Sequence, residues 1–313
     1  MVIKVNIYNY LSYTNAINDV IKSDNIRIGE VCDEFNMTLM ISDFYRGNKS
    51  LFVVLPNLYL AQKYYDALSN YMDEKDVLFF PADELLSAEI IAATWDFLFE
   101  RINTITTLLE GNKKIIITNM NGAIKYEMNT NKWKESIFKL KQFDIVDIYE
   151  LCHKLISIGY ESVFTIQKTG QFSRRGSIID IFPLGYEKPI RIDFFGDEID
   201  TIKYFSIDTQ RSSEKVNEAT IIPVTELIYN DEEFRIAKEK ILSFIDSYSL
   251  SQIEEEMYNK NLFDLENHKN LESMARYLSF FDDSKTTIFD FVSNKRIYFV
   301  DPVKSKDMFN SIV

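Results

Sequence analysis

The sequence predicts an α/β fold in which a parallel-sheet domain is split by a small inserted α+β domain. Three observations carry this reading. Short apolar runs alternate with amphipathic helices through the first third of the chain. That rhythm breaks near residue 127, where strand-like segments joined by turn residues follow in quick succession. After residue 222 the pattern turns helical again and ends on further strand candidates. The 313 residues therefore divide into 1–126, 127–222 and 223–313: first part of the α/β domain, insert, second part. Two or three domains is also what this length suggests, at about 100–200 residues each.

Each element has its own signal. Leu51-Phe52-Val53-Val54-Leu55 is a continuous apolar run, as a strand buried on both faces requires. Pro56-Asn57 then starts a helix, with Leu60, Tyr64, Leu68 and Tyr71 at helical spacing. Val77–Phe80 is the second run, ended by Pro81. A helix is predicted from about Glu89 to Leu109, broken by Gly111-Asn112, and Ile115–Thr118 is the third run. In the insert, a helix over Ile145–Ile158 stops at Gly159. Strands are predicted at Val163–Gln167, Gln171–Phe182, Pro189–Phe195 and Glu198–Ser206, separated by Thr169-Gly170, Pro183-Leu184-Gly185 and Gly196-Asp197. Beyond it, helices are expected over Asp231–Tyr248 and Phe263–Leu278, and strands at Thr286–Phe291 and Arg296–Val300 that rejoin the first sheet. The sequence ends just after a strand, so it reads as part of something longer.

Composition excludes several classes. With 35 Lys+Arg against 48 Asp+Glu the net charge is −13. Gripping phosphate backbones depends on cations displacing counterions, so a nucleic-acid binder is disfavoured, as is an anionic membrane surface. No apolar run nears the roughly 18 residues that span a bilayer, and the start carries no secretory pattern. Two cysteines, Cys32 and Cys152, make no disulfide framework, which suits a cytoplasmic protein. With His153 and His268 they are also too few for a structural zinc site.

The charge is uneven. Residues 127–222 hold 13 Lys+Arg and 15 Asp+Glu, a net of −2, and the flanks carry the remaining −11. Within that middle segment Arg174, Arg175 and Arg191 cluster. Along Pro189–Phe195, alternation points Ile190, Ile192 and Phe194 one way, toward a core, and Arg191, Asp193 and Phe195 the other. An aromatic beside an arginine on a non-core face is a composition enriched at protein–protein hot spots. Geometry alone leaves this open, since single exposed aromatics are ordinary.

Catalytic constellations are missing. No G-x-x-x-x-G-K-[ST] occurs, and the stretch where it would sit, Cys32-Asp33-Glu34-Phe35-Asn36-Met37-Thr38, lacks glycine and lysine and carries two acids. There is no G-x-S-x-G, and neighbouring Cys152 and His153 do not face each other on a helix. Asp282-Asp283 and Asp231-Glu232-Glu233 are expected at helix ends, where the macrodipole favours acids, and Glu254-Glu255-Glu256 on a solvated helix face.

Three motifs carry a resemblance: Gly170-Gln-Phe-Ser-Arg-Arg-Gly176-Ser-Ile-Ile-Asp180-Ile-Phe-Pro183, Pro189-Ile-Arg191-Ile-Asp-Phe-Phe195-Gly-Asp-Glu-Ile-Asp200 and Phe205-Ser-Ile-Asp208-Thr-Gln-Arg-Ser212. With Phe80-Pro-Ala-Asp-Glu-Leu85 in support, they closely resemble the N-terminal, UvrB-like module of the bacterial transcription-repair coupling factors (Mfd). The resemblance implies a degenerate P-loop helicase-like sheet, split by an inserted domain that binds UvrA. It places the UvrA surface on Arg175, Arg191 and Phe195. It implies no enzyme activity and no cofactor for this stretch. ATP and Mg, RNA polymerase and DNA would belong to other parts of the longer protein, whose C-terminal domain would mask the UvrA surface. UvrB keeps a P-loop, so the resemblance favours Mfd. The alternative is a nucleotide-hydrolysing helicase domain of a UvrB-type excision-repair protein. A DNA-binding module is a third possibility, open to a salt-dependence test. On the adaptor reading, Arg191→Glu or Phe195→Ala is expected to abolish UvrA binding without changing the circular dichroism spectrum.

Overall fold

A computed structural model describes residue 22 and residues 32–82, 94–247 and 251–312. Its strands are β1 (Ser50–Leu55), β2 (Val77–Phe80), β3 (Ile115–Asn119), β4 (Phe138–Lys141), β5 (Glu161–Ser162), β6 (Gln171–Arg175), β7 (Ile178–Ile181), β8 (Ile190–Phe195), β9 (Glu198–Phe205), β10 (Ser212–Val216), β11 (Glu218–Ile221) and β12 (Lys295–Phe299). The chain forms two compact units, one of residues 1–86, 107–125 and 291–313, the other of residues 87–106 and 126–290. Residues 223–290 thus pack in the same unit as the insert, although sequence alone grouped them with the α/β domain.

The first unit holds a parallel sheet in the order β12-β1-β3-β2. Every residue of β1, β2 and β3 is buried, as expected where both faces of a parallel sheet are covered. Leu51, Val53, Leu55, Phe79, Ile115 and Ile117 share one core with Met40 and Phe44 of the helix Asp33–Arg46 and with Tyr64 and Leu68 of the helix Leu58–Tyr71. The predicted Pro56-Asn57 start is real: Asn57 Oδ1 accepts from the Leu60 N–H. The last strand rejoins this sheet, as expected, beside β1. Buried Asp43 holds it there, accepting from Arg296 Nη1 at 2.8 Å and from the Tyr298 hydroxyl at 2.7 Å.

The second unit contains a six-stranded sheet, β10-β9-β8-β7-β6-β5, antiparallel except where β5 joins β6, and a two-stranded sheet of β4 and β11. Buried Arg101 and Glu226 form a bidentate ion pair at 2.6 and 3.0 Å. The helix predicted over Glu89–Leu109 is seen as Thr94–Leu109; residues 89–93, and the Asp83–Leu85 part of the supporting motif, lie outside the described residues.

Several expectations give way to local chemistry. Val163–Gln167 is not a strand: the Gln171 side chain takes the N–H groups of Gln167 and Lys168, and Ile166 turns into a small cluster with Phe182 and Phe205. Thr286–Phe291 is not a strand of the parallel sheet: Thr286 makes a single antiparallel bridge with Glu127, and Ile288–Phe291 is a 3₁₀ turn, with Asp290 reaching back to the Thr287 N–H. The helix expected at Phe263–Leu278 runs instead over Gln252–Glu266, started by a Ser251/Glu254 capping box that the acidic run concealed. Asp231-Glu232-Glu233 does open a helix, capped by Asn230. Asp282 follows a short helix and accepts from the backbone and side chain of Asn129, at the head of the helix Thr130–Ser136.

Candidate protein-interaction surface

The two hairpins β6–β7 and β8–β9 build the surface. Each turns through a glycine at positive φ, Gly176 at 62° and Gly196 at 64°, followed by one residue before the partner strand. Gly-X is the pair that a type II′ hairpin turn demands. Arg175 and Phe195 are the last residues before these turns, which lie at the same end of the sheet and are tied by the Phe194 N–H donating to the Ser177 carbonyl at 2.9 Å.

Register decides the faces. Ile179, Ile192, Ile202 and Phe194 are buried on one side, the predicted core side. On the other, Ser173, Asp180, Arg191 and Lys203 form one cross-strand row, and Arg175, Ile178, Asp193 and Thr201 the next. Alternation carries Phe195 onto this same face. Arg175, Arg191 and Phe195 therefore share a face, whereas Arg174 lies on the opposite one, its guanidinium 3.9 Å from the ring centre of Tyr149.

The centre of that face is a carboxylate that sequence reasoning passed over. Asp180, with a side chain 2% exposed, accepts from Arg191 Nε at 2.7 Å, from Arg191 Nη2 at 2.9 Å and from Arg175 Nη2 at 2.5 Å. Arg191 also donates to the Gln210 carbonyl at 3.2 Å and stacks 4.6 Å from the Phe205 ring centre. The hydrogen bonds to Asp180 raise the Arg191 pKa further. Beside it, Lys203 and Thr201 outweigh the effect of burial and hold Asp193 below the usual carboxylate range. The three motifs singled out in the sequence thus meet at one point: Arg175 and Asp180 from the first, Arg191 from the second, Gln210 from the third. The alternation applied to Arg191 would have found Asp180 as well, since it sits between inward-facing Ile179 and Ile181.

One expectation is corrected here. It is that Arg191→Glu leaves the circular dichroism spectrum unchanged: the Arg191 side chain is only 15% exposed, and its charge is spent on Asp180. Arg191→Glu would set two carboxylates against each other in a buried place, so an unchanged fold is not expected. Arg175 is 45% exposed and Phe195 84% exposed, so these two present the accessible charge and the accessible ring.

Among the described residues, no three His, Cys, Asp or Glu side chains come together as a metal site, and no helix is long and apolar enough to cross a membrane.

Residues 124–227 match the UvrB interaction domain. Nearly the whole chain is similar to transcription-repair-coupling factors. It is 28% identical to that of Staphylococcus epidermidis, over 94% of this chain and 26% of that protein. With that of Bacillus subtilis the identity is 31%, over 82% of this chain and 22% of that protein. With that of Staphylococcus aureus it is 28%, over 91% and 25%. The chain spans about a quarter of the length of the curated relatives it matches. The resemblance carried by the middle motifs is borne out: the chain is a homologue of the transcription-repair-coupling factors, corresponding to about a quarter of their length and including their UvrB interaction domain.

Proposed function

We propose that this chain is a non-catalytic adaptor module of transcription-coupled nucleotide excision repair, which recruits UvrA through the face bearing Arg175, Arg191 and Phe195. The observation that carries the reading is the buried Asp180 anchoring two arginines beside an exposed phenylalanine, inside the segment that matches the UvrB interaction domain. In this reading Arg191 is held rigid as the base of the site, Arg175 offers a charge, and Phe195 is the apolar anchor of the kind that dominates interfaces. The insert, residues 127–222, is the docking domain, and the parallel sheet is a helicase-like scaffold without nucleotide function. Two features support that scaffold assignment: the parallel order of its strands, and Asp33 at the start of the helix before β1. The Asp33 carboxylate accepts from Lys63 and Tyr64, and these bonds hold it below its usual range against the opposing effect of burial. ATP-driven translocation, contacts with RNA polymerase and DNA, and masking of the UvrA face belong in this proposal to the rest of a longer protein.

The test is calorimetric titration of the chain with UvrA, comparing wild type with Phe195→Ala. Loss of a central anchor typically costs more than about 2 kcal/mol, or roughly a 30-fold rise in Kd. An unaltered Kd would sink the assignment of Phe195. Nucleotide binding to the isolated chain would favour the helicase alternative instead.

A further inference from the structure

We propose that the docking face does not end at Phe195 but continues across β9 onto the segment of residues 143–146, where Phe143 and Ile145 supply a second apolar anchor for the same partner. The inference rests on the UvrA-recruitment reading above and adds to it a set of residues that neither motif nor alternation had marked.

The segment is laid along β9 by three backbone hydrogen bonds. The Phe143 N–H donates to the Ile199 carbonyl at 2.8 Å, the Ile199 N–H to the Asp144 carbonyl at 2.9 Å, and the Val146 N–H to the Asp197 carbonyl at 2.8 Å. Ile145 stands opposite Glu198, and Glu198 stands opposite Phe195. Residues directly opposite share a face, so Ile145 and Phe195 flank Glu198 on one surface, about 10 Å apart at two strand spacings.

All three apolar side chains face water: Phe195 is 84% exposed, Ile145 72% and Phe143 66%. Phe143 also has a φ of 74°, a left-handed conformation that a bulky residue rarely adopts and glycine adopts freely. Its ring gains no burial there in exchange for the strain. Strained residues of this sort gather at functional sites.

The charges around the trio define the partner. Arg175 lies on one flank, while Glu198, Asp197 and Asp147 are exposed on the other. The matching surface is a protein with an apolar groove, an acidic group toward Arg175 and a basic group toward Glu198.

The experiment titrates UvrA against wild type, Phe195→Ala, Ile145→Ala and Phe143→Gly, with urea unfolding of each variant in parallel. Phe143→Gly relieves the backbone strain, so its unfolding midpoint should equal or exceed that of wild type while its Kd for UvrA rises. Ile145→Ala should also weaken binding, each by about 10-fold. If Phe195→Ala weakens binding but Phe143→Gly and Ile145→Ala do not, the extension is wrong and the recruitment reading stands. If wild type itself does not bind, both fail. Sedimentation without UvrA covers the remaining occupant: self-association that these two variants abolish would assign the patch to a second copy and overturn the proposal.

Discussion

Asp180→Ala offers the sharpest test of how the candidate site is built. The substitution removes the one carboxylate that both Arg175 and Arg191 share. Its consequence falls almost wholly on Arg191, whose side chain is 15% exposed, because Arg175 at 45% can return its charge to water. Breaking a buried pair by deleting one partner costs about 3–5 kcal/mol, whereas an exposed pair is worth at most about 1 kcal/mol. Against a total stability of about 5–15 kcal/mol this is a large fraction. The assay is favoured by the sequence: both tryptophans, Trp95 and Trp133, lie in the second unit, so fluorescence follows that unit through a urea titration. With a slope of about 2 kcal/mol per molar urea, the midpoint should drop by about 1.5–2.5 M. The double variant Asp180→Leu with Arg191→Met, which replaces the pair by apolar groups of similar size, should recover most of the loss. It should nevertheless fail to bind UvrA. A midpoint shift under about 0.5 M for Asp180→Ala would mean that Arg191 is not held as described, and the account of the site would fall with it.

Two further outcomes follow from the same geometry. Arg191→Ala should destabilise the second unit by about 2–4 kcal/mol, since it leaves Asp180 buried with only half-exposed Arg175, while Arg175→Ala should cost less than about 1 kcal/mol; equal midpoint shifts in urea would contradict this. His268 supplies a pH dependence. Burial, opposed by Asp231, lowers its pKa from the ordinary 6.5. Its neutral ring stacks 4.5 Å from Tyr229. Because the folded pKa lies below the unfolded one, the associated stability is present above pH 6.5 and is lost as pH falls through the folded value. The fluorescence midpoint should therefore be lower at pH 5 than at pH 7.5. His268→Asn, which suits the left-handed backbone at φ 49°, should remove that part of the slope, and an identical slope in the variant would refute the assignment.

The strands of the parallel sheet were legible because burial on both faces leaves an unbroken apolar run, as in Leu51–Leu55 and Ile115–Ile117. The β8–β9 hairpin was legible because Gly196-Asp197 stands where the turn needs positive φ; the β6–β7 hairpin was not, since Gln171–Phe182 reads as a single strand although the chain reverses at Gly176. Of the helix Gln252–Glu266 only the solvated face at Glu254–Glu256 was legible; its bounds were not, since its first turns are exposed and carry no apolar stripe, and its capping box was the readable signal. Val163–Gln167 misled because only the Val163 N–H finds a strand partner, the Phe172 carbonyl, while the Gln167 N–H is taken by a side chain, Gln171, four residues beyond it.

What the sequence determined by itself was the fold class, the family resemblance and the common face of Arg191 and Phe195, all of which depend on local period and motif. Only the tertiary structure decided that Arg191 is a largely covered post, neutralised by the buried Asp180, and not a free charge. That outcome depends on which carboxylate the neighbouring strand delivers. Likewise only the structure joined Phe143 and Ile145 to Phe195, because the register that makes them neighbours brings together residues about fifty positions apart in the chain.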